Sequence, residues 1–294
     1  MSYARGRPPS PAELRARRTT RRLVAAAVTA GVVFVAGAVV FVMAARTNPT
    51  LSEENLCRLD APPVAEVIII LDASDPWNEI QRTVLQQEFG ALQREIPRFA
   101  RVSLFTLTAE ATALPSPTVQ LCNPGSLEDL KRTTPFGGRG VSIIANPELF
   151  ETRWRTGFTA RLDSIFQAHA GSAGTAWSPI METIRAAAIE VFGVPSNDPD
   201  RPKKLYIFSD MLQHTERYSH YTDADWSRAD ARALADLAVT GTTALTNTEV
   251  HVFLLDRPVV GQRPGNTRSA LVEFWDEYFS AQGARLVRVR RVEG

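Results

Sequence analysis

The sequence predicts an α/β domain, a doubly wound and mostly parallel sheet with helices on both faces, preceded by one transmembrane helix. Three observations carry that expectation. A charge-free aliphatic block lies near the start, unbroken β-branched runs of strand length recur after it, and amphipathic helical stretches stand between those runs. Strands alternating with helices build βαβ units, whose parallel sheet buries both of its faces.

The chain opens on a basic segment, residues 1–22, in which Arg5, Arg7, Arg15, Arg17, Arg18, Arg21 and Arg22 face a single acid, Glu13. Residues 23–45, LVAAAVTAGVVFVAGAVVFVMAA, carry no charge. A helix of that length, at about 1.5 Å per residue, crosses a hydrocarbon layer of ~30 Å. Ala44 and Ala45 are small enough for a signal-peptide cleavage site, but a signal core usually runs to about 7–15 residues, so an anchor is the stronger reading. The basic cluster abuts one end only, and cytoplasmic flanks carry the excess Lys and Arg, so residues 1–22 are expected in the cytoplasm and the rest outside. Arginine greatly outnumbers lysine, which occurs only at Lys131, Lys203 and Lys204. That bias suggests a GC-rich bacterial genome and places the anchor in a bacterial cytoplasmic membrane. With 33 Lys+Arg against 32 Asp+Glu, and the excess positive charge at the start, the body lacks the basic surface that nucleic acid requires.

Residues 46–65, with Asn, Ser, Glu and Pro62-Pro63, read as a linker. The remainder, 66–292, is long enough to be one domain. Val67–Leu71 is a short aliphatic run of the kind expected in a central parallel strand. Trp77, Ile80, Val84, Leu85, Phe89, Leu92 and Ile96 then recur at helical spacing. Further strands are expected at Val102–Leu107, Lys204–Phe208, Val250–Leu255 and Leu286–Val289, the last after a helical run from Leu271 to Phe279. Phe274, Trp275, Tyr278 and Phe279 on that run read as core. Between about 114 and 153 prolines and glycines interrupt the pattern, and a Pro/Gly-rich insertion is expected, with a short strand at Val141–Ile144. Gly137, Gly138 and Gly140 within it lack the strand, helix and lysine of a phosphate-binding loop and read as turn chemistry. Cys57 and Cys122 would both lie in an oxidising space, where a disulfide is expected and two separate buried thiols are the alternative. The histidines His169, His214, His220 and His251 show no zinc-ligand spacing to either cysteine.

In an open parallel sheet, ligands sit at the carboxyl ends of the strands. Three polar clusters fall at such ends: Asp72, Ser74 and Asp75 after the first strand, Ser172–Ser178 before the helix carrying Ile180 and Ile184, and Asp210. Carboxylate and hydroxyl oxygens suit a hard cation such as Mg²⁺, with Ca²⁺ or Mn²⁺ as alternatives. This pattern resembles the von Willebrand factor A domain and its metal-ion-dependent adhesion site. Asp72 and Ser74 match the start of that family's Asp-x-Ser-x-Ser motif; Ser178 in Ser178-Pro179-Ile180-Met181 matches its helix-opening Thr; Asp210 in Leu-Tyr-Ile-Phe-Ser-Asp matches its last acid. The resemblance implies a metal held by Asp72, Ser74, Ser178 and Asp210. The family's second Ser is Pro76 here, with Asp75 the neighbouring oxygen donor, and Thr175 competes with Ser178 for the Thr position. The plain alternative is that Asp72 and Asp75 cap the following helix. His214 and His220, with Tyr218 and Tyr221, follow Asp210 as a partner-recognition stretch or a solvated loop.

The function expected from these readings is a membrane-tethered protein-binding module that engages another envelope or membrane protein through an acidic residue and a bound cation. Alternatives are a metal-assisted hydrolase or phosphatase and a metal-free structural envelope subunit. A Gly-x-Ser-x-Gly elbow is absent, and no catalytic residue is assigned.

Overall fold

The computed structural model describes residues 11–47, 51–107, 116–126, 128, 147–169, 177–193, 200–222, 225–226, 245–257 and 265–293. Two compact units make up the chain, residues 1–49 with 130–145, and residues 50–129 with 146–294. The first unit holds helix α1 (Pro11–Thr47). Proline suits its first position, where an N–H would have no helical acceptor. Within α1, Thr20–Val42 is 23 residues long and apolar enough to cross a membrane. Every residue from 20 to 42 is exposed, Phe34 to 78%.

The second unit runs β1 (Glu66–Asp72), α2 (Glu79–Glu95), β2 (Arg101–Leu107), β3 (Val119–Cys122), α3 (Pro147–His169), α4 (Ile180–Phe192), β4 (Lys203–Ser209), β5 (Thr248–Leu255), α5 (Arg268–Ala281) and β6 (Arg285–Val292). The strands form one six-stranded sheet in the order β3-β2-β1-β4-β5-β6. Only the β2–β3 pairing is antiparallel. This is the doubly wound, VWA/Rossmann-like arrangement that the sequence predicts, with an edge strand, β3, at a place where none was expected. The order reverses between β1 and β4, and such a switch point leaves a crevice at the strand ends.

Both faces of the sheet are covered, which explains why β1 is buried at every position. Ile68, Ile70, Leu205, Ile207, Val250 and Val252 point to one face, where they join Ile180, Ile184 and Ala187 of α4 and Leu271, Trp275 and Phe279 of α5 in a single cluster. On the other face Phe89 of α2 stacks on Phe208, and Phe208 on Phe253, with centroids 4.6 and 4.2 Å apart. Trp77 meets Phe166 of α3 edge-on at 5.0 Å. As expected, Phe274, Trp275, Tyr278 and Phe279 are all buried.

Residues 51–65 are more than a spacer. Leu56 is fully buried, Cys122 N donates to Asn55 O at 2.8 Å, and Cys57 is disulfide-bonded to Cys122 of β3. Arg153 of α3 also donates to Glu53 O at 2.7 Å. Helix α3 occupies sequence partly assigned to the Pro/Gly-rich insertion, and it lies close against β3. A Cβ on Gly157 would stand 2.6 Å from Leu121 Cδ1, so a larger residue there would make that leucine side chain shift. The turn at Gly137, Gly138 and Gly140 and the strand expected at Val141–Ile144 lie outside the described residues.

Candidate functional site

Asp72 and Asp210 stand at the ends of β1 and β4, the two strands that flank the switch point. Both carboxylates are about 4% exposed. Asp72 Oδ1 accepts from Ser74 N at 3.0 Å and Ser74 Oγ at 2.6 Å. Its Oδ2 accepts from Ser209 Oγ at 2.5 Å, and Ser209 Oγ accepts in turn from Met211 N at 2.8 Å. Asp72 therefore closes a local turn and reaches across to β4. It does not cap α2: that role belongs to Asn78, whose side chain accepts from Gln81 N in a capping box.

Ser178 is brought in from a third loop. It exchanges two backbone hydrogen bonds with His214, each 2.9 Å long, and its Oγ lies 3.3 Å from Ser74 Oγ. Pro179 gives α4 no side-chain cap. Gln213 supplies one instead, accepting from Met181 N at 2.9 Å and donating to Glu182 at 2.9 Å. Gln213→Ala should lower stability by about 1–3 kcal/mol, because it strands a buried N–H. Denaturant unfolding measures this directly, and an unchanged midpoint would show the cross-link to be dispensable.

The chain turns sharply after Asp210. Met211 is buried with φ of 60°, a left-handed conformation unusual for methionine, and Trp275 Nε1 holds its carbonyl at 2.8 Å. Leu212 N then donates to Asp210 Oδ1 at 2.9 Å. The other oxygen of Asp210 accepts from Arg257 Nε at 3.0 Å. Arg257 lies two residues beyond β5 and also reaches Pro76 O at 3.2 Å and Asp75 Oδ2 at 3.9 Å.

Burial raises the pKa of both buried acids. For Asp72, hydrogen bonds from Ser209 and Ser74 and the charge of Arg257 oppose the rise. Asp210 is pushed to about 7, first by burial and then by the nearby negative charge of Asp72, against the pull of Arg257. The two carboxylates thus sense one another across the switch point, and the charge of Arg257 offsets only part of the cost of burying them.

Beside these groups opens a cleft of about 410 Å³ lined by Ser74, Asp75, Trp177, Ser178, His214, Tyr221 and Thr222. Trp177 is 38% exposed at its rim, and its ring stacks on His214 at 5.2 Å. His214 Nδ1 lies 2.7 Å from Ser219 Oγ. That hydroxyl is buried and accepts from Tyr221 N and Thr222 N, so the pair organises the loop. His220 is neither solvated nor placed for recognition, being 2% exposed against Tyr218, Trp226 and Phe274.

Of the residues singled out in the sequence, Ser74 touches both Asp72 and Ser178, Asp210 and Asp75 share Arg257, and His214 lines the adjoining cleft. Thr175 lies outside the described residues. Ser209, Gln213, Trp177 and Arg257 were not read from the sequence. Arg257 alone carried a usable signal, since the strand-end rule that selected Asp72 and Asp210 also selects Asp256-Arg257 after β5.

The donor set fits a small hard cation at one corner and resists it at another. Neighbouring oxygens around octahedral Mg²⁺ are about 2.9 Å apart; the 2.6 Å from Asp72 Oδ1 to Ser74 Oγ and the 3.3 Å from Ser74 Oγ to Ser178 Oγ bracket that spacing. At Asp210 a guanidinium already holds one oxygen. Among the described residues no group of three or more His, Cys, Asp or Glu is arranged for a metal ion, so a cation here would need serine hydroxyls and water beside its carboxylate oxygens.

No protein-family model matches the chain, and no curated protein matches it. Among solved structures it is similar to a conserved hypothetical protein, BatB, from Bacteroides thetaiotaomicron, at 15% identity and a TM-score of 0.38, covering 78% of this chain and 91% of that one. It is also similar to an aerotolerance-related membrane protein from Bacteroides fragilis carrying multiple mutations to serines, at 14% identity and a TM-score of 0.36, with coverage of 78% and 91%. Likeness at this level assigns neither family nor function.

Proposed function

We propose that the chain is a membrane-tethered protein-binding module of the bacterial envelope. In this reading α1 anchors it in the cytoplasmic membrane with the arginine-rich start inside, and the α/β body faces outward. The observation that carries the proposal is the meeting of Asp72 and Ser74, on the turn after β1, with Ser178 from a separate loop, beside an open cleft with an exposed tryptophan. Binding hot spots favour this composition, an aromatic anchor next to buried polar groups.

A divalent cation such as Mg²⁺ would be held by Asp72, Ser74 and Ser178, with Asp210 as the remaining acid, and would supply a coordination place for an acidic side chain of another envelope protein. The chain's own residues do the rest. Ser209 and Ser74 fix the Asp72 carboxylate, the Ser178–His214 bridge fixes the depth of the cleft, and Trp177 with Tyr221 offers aromatic surface to the partner.

The test is capture of a cross-linked envelope partner by the full chain in its membrane. Asp72→Ala and Asp210→Ala should each abolish capture while leaving the folded body intact by circular dichroism. Trp177→Ala should weaken capture about 30-fold, the effect of losing a hot-spot aromatic worth ~2 kcal/mol. Full-strength capture by both aspartate variants would refute the proposal.

A further inference from the structure

We infer that Arg257 is a resident cation of this edge, which competes with a divalent ion for Asp210 and so sets the metal affinity of the site. The inference rests on reading the edge as the binding site, and it concerns what loads that edge. Two carboxylates lie buried at the switch point, and buried charge must be compensated. Among the described residues the guanidinium of Arg257 is the positive group that contacts Asp210, with Nε 3.0 Å from its Oδ2, and its charge also acts on Asp72.

Its remaining contacts coincide with the departures from the adhesion-site motif. Pro76, where the family has a hydroxyl, offers its carbonyl oxygen to Arg257 Nη1 at 3.2 Å, and Asp75 lies 3.9 Å from Nε. The side chain is 18% exposed, and the carboxylate that it meets is 4% exposed. At such a depth an ion pair is screened little. A guanidinium and a metal ion both seek the outward oxygen of Asp210, whose other oxygen accepts from Leu212 N. Occupation by one therefore weakens occupation by the other.

The experiment titrates MnCl₂ and MgCl₂ into the full chain in detergent micelles, following free Mn²⁺ by electron paramagnetic resonance and stability by thermal shift. Wild type, Arg257→Gln and Arg257→Lys are compared. Arg257→Gln should bind Mn²⁺ at least about tenfold more tightly than wild type and gain melting temperature with Mg²⁺, as binding to the folded state alone requires. Arg257→Lys keeps the charge but loses the fork, and should fall between the two; if Arg257→Gln does not fold, Arg257→Lys decides. Affinity unchanged or weaker in the variant that decides, or no binding in any of the three, overturns the inference. Failure here is distinct from failure of the binding module. Capture lost in Asp72→Ala with no change in Mn²⁺ affinity on replacing Arg257 sinks only the competition, whereas capture retained by the aspartate variants with tighter Mn²⁺ binding sinks only the module.

Discussion

Replacing Cys57 and Cys122 together by serine is expected to lower the stability of the α/β body by about 4 kcal/mol, the largest single loss among the changes considered. The bond spans 65 residues, and cross-linking a loop of that length removes about 4 kcal/mol of chain entropy from the unfolded state. Measured losses for native disulfides run from about 2 to 5 kcal/mol, which for a body of this size lowers the melting temperature by roughly 5–15 °C. The loss should also be local. The bond fixes residues 51–58 against β3, so proteolysis under reducing conditions should cut first near Leu56, whose burial depends on that contact. A reduced protein that melts within a degree of the oxidised one would remove the bond from the account of stability.

The second large effect is a pH dependence that wild type should largely conceal. His220 is buried, and burial lowers its pKa to about 3, opposed only by a backbone hydrogen bond to Gln213. Among the described residues neither ring nitrogen has a hydrogen-bond partner. Because the folded pKa lies below the unfolded value of 6.5, the unfolded chain gains a proton first as pH falls. Stability from His220 is therefore present above about 6.5 and is lost on acidification, by ~2 kcal/mol at pH 5. Asp210 acts in the opposite sense. With its folded pKa raised to about 7, the native state holds a proton that the unfolded chain has released, so stability falls as pH rises from about 4 to 7. The two slopes nearly cancel between about pH 4 and 6.5. His220→Phe keeps an aromatic ring in an aromatic setting and removes one slope. Between pH 7.5 and pH 5 it should gain about 2 kcal/mol of stability relative to wild type, read as the difference between two unfolding series. Parallel series would show that His220 is protonated in the fold or reached by solvent.

The strands illustrate what could be read locally. Val67–Leu71, Val102–Leu107, Lys204–Phe208 and Val250–Leu255 all lie within observed strands, because a central parallel strand buries both faces and needs an unbroken apolar run. Strand β3, the four residues VQLC, has no such run, being a short antiparallel edge with three of its four residues at least partly exposed. Helix α3 is a different kind of omission. Its buried Phe150, Trp154, Leu162, Ile165 and Phe166 recur at helical spacing, but its first residues, to Arg153, were read with the proline- and glycine-rich stretch before it and the rest was given no element.

The site divides in the same way. Asp72 and Ser74 are two residues apart, and their contact follows from the tight turn after β1. The contact of Ser74 with Ser178, 104 residues away in the chain, joins two loops that in the sequence only the motif resemblance links. Arg257 was not expected, because its contact with Asp210 depends on β4 and β5 pairing so that Ser209 lies beside Leu254.

Residue order and type alone settled the membrane-length helix, the alternation of strands and helices, and the acids at the ends of β1 and β4, because each is a property of short windows in which periodicity, burial and length act together. Long-range packing settled the charge of the pocket, the burial of His220 and the capping of α4 by Gln213. Those contacts join residues remote in sequence, and their energy exists only once the sheet has brought the loops side by side.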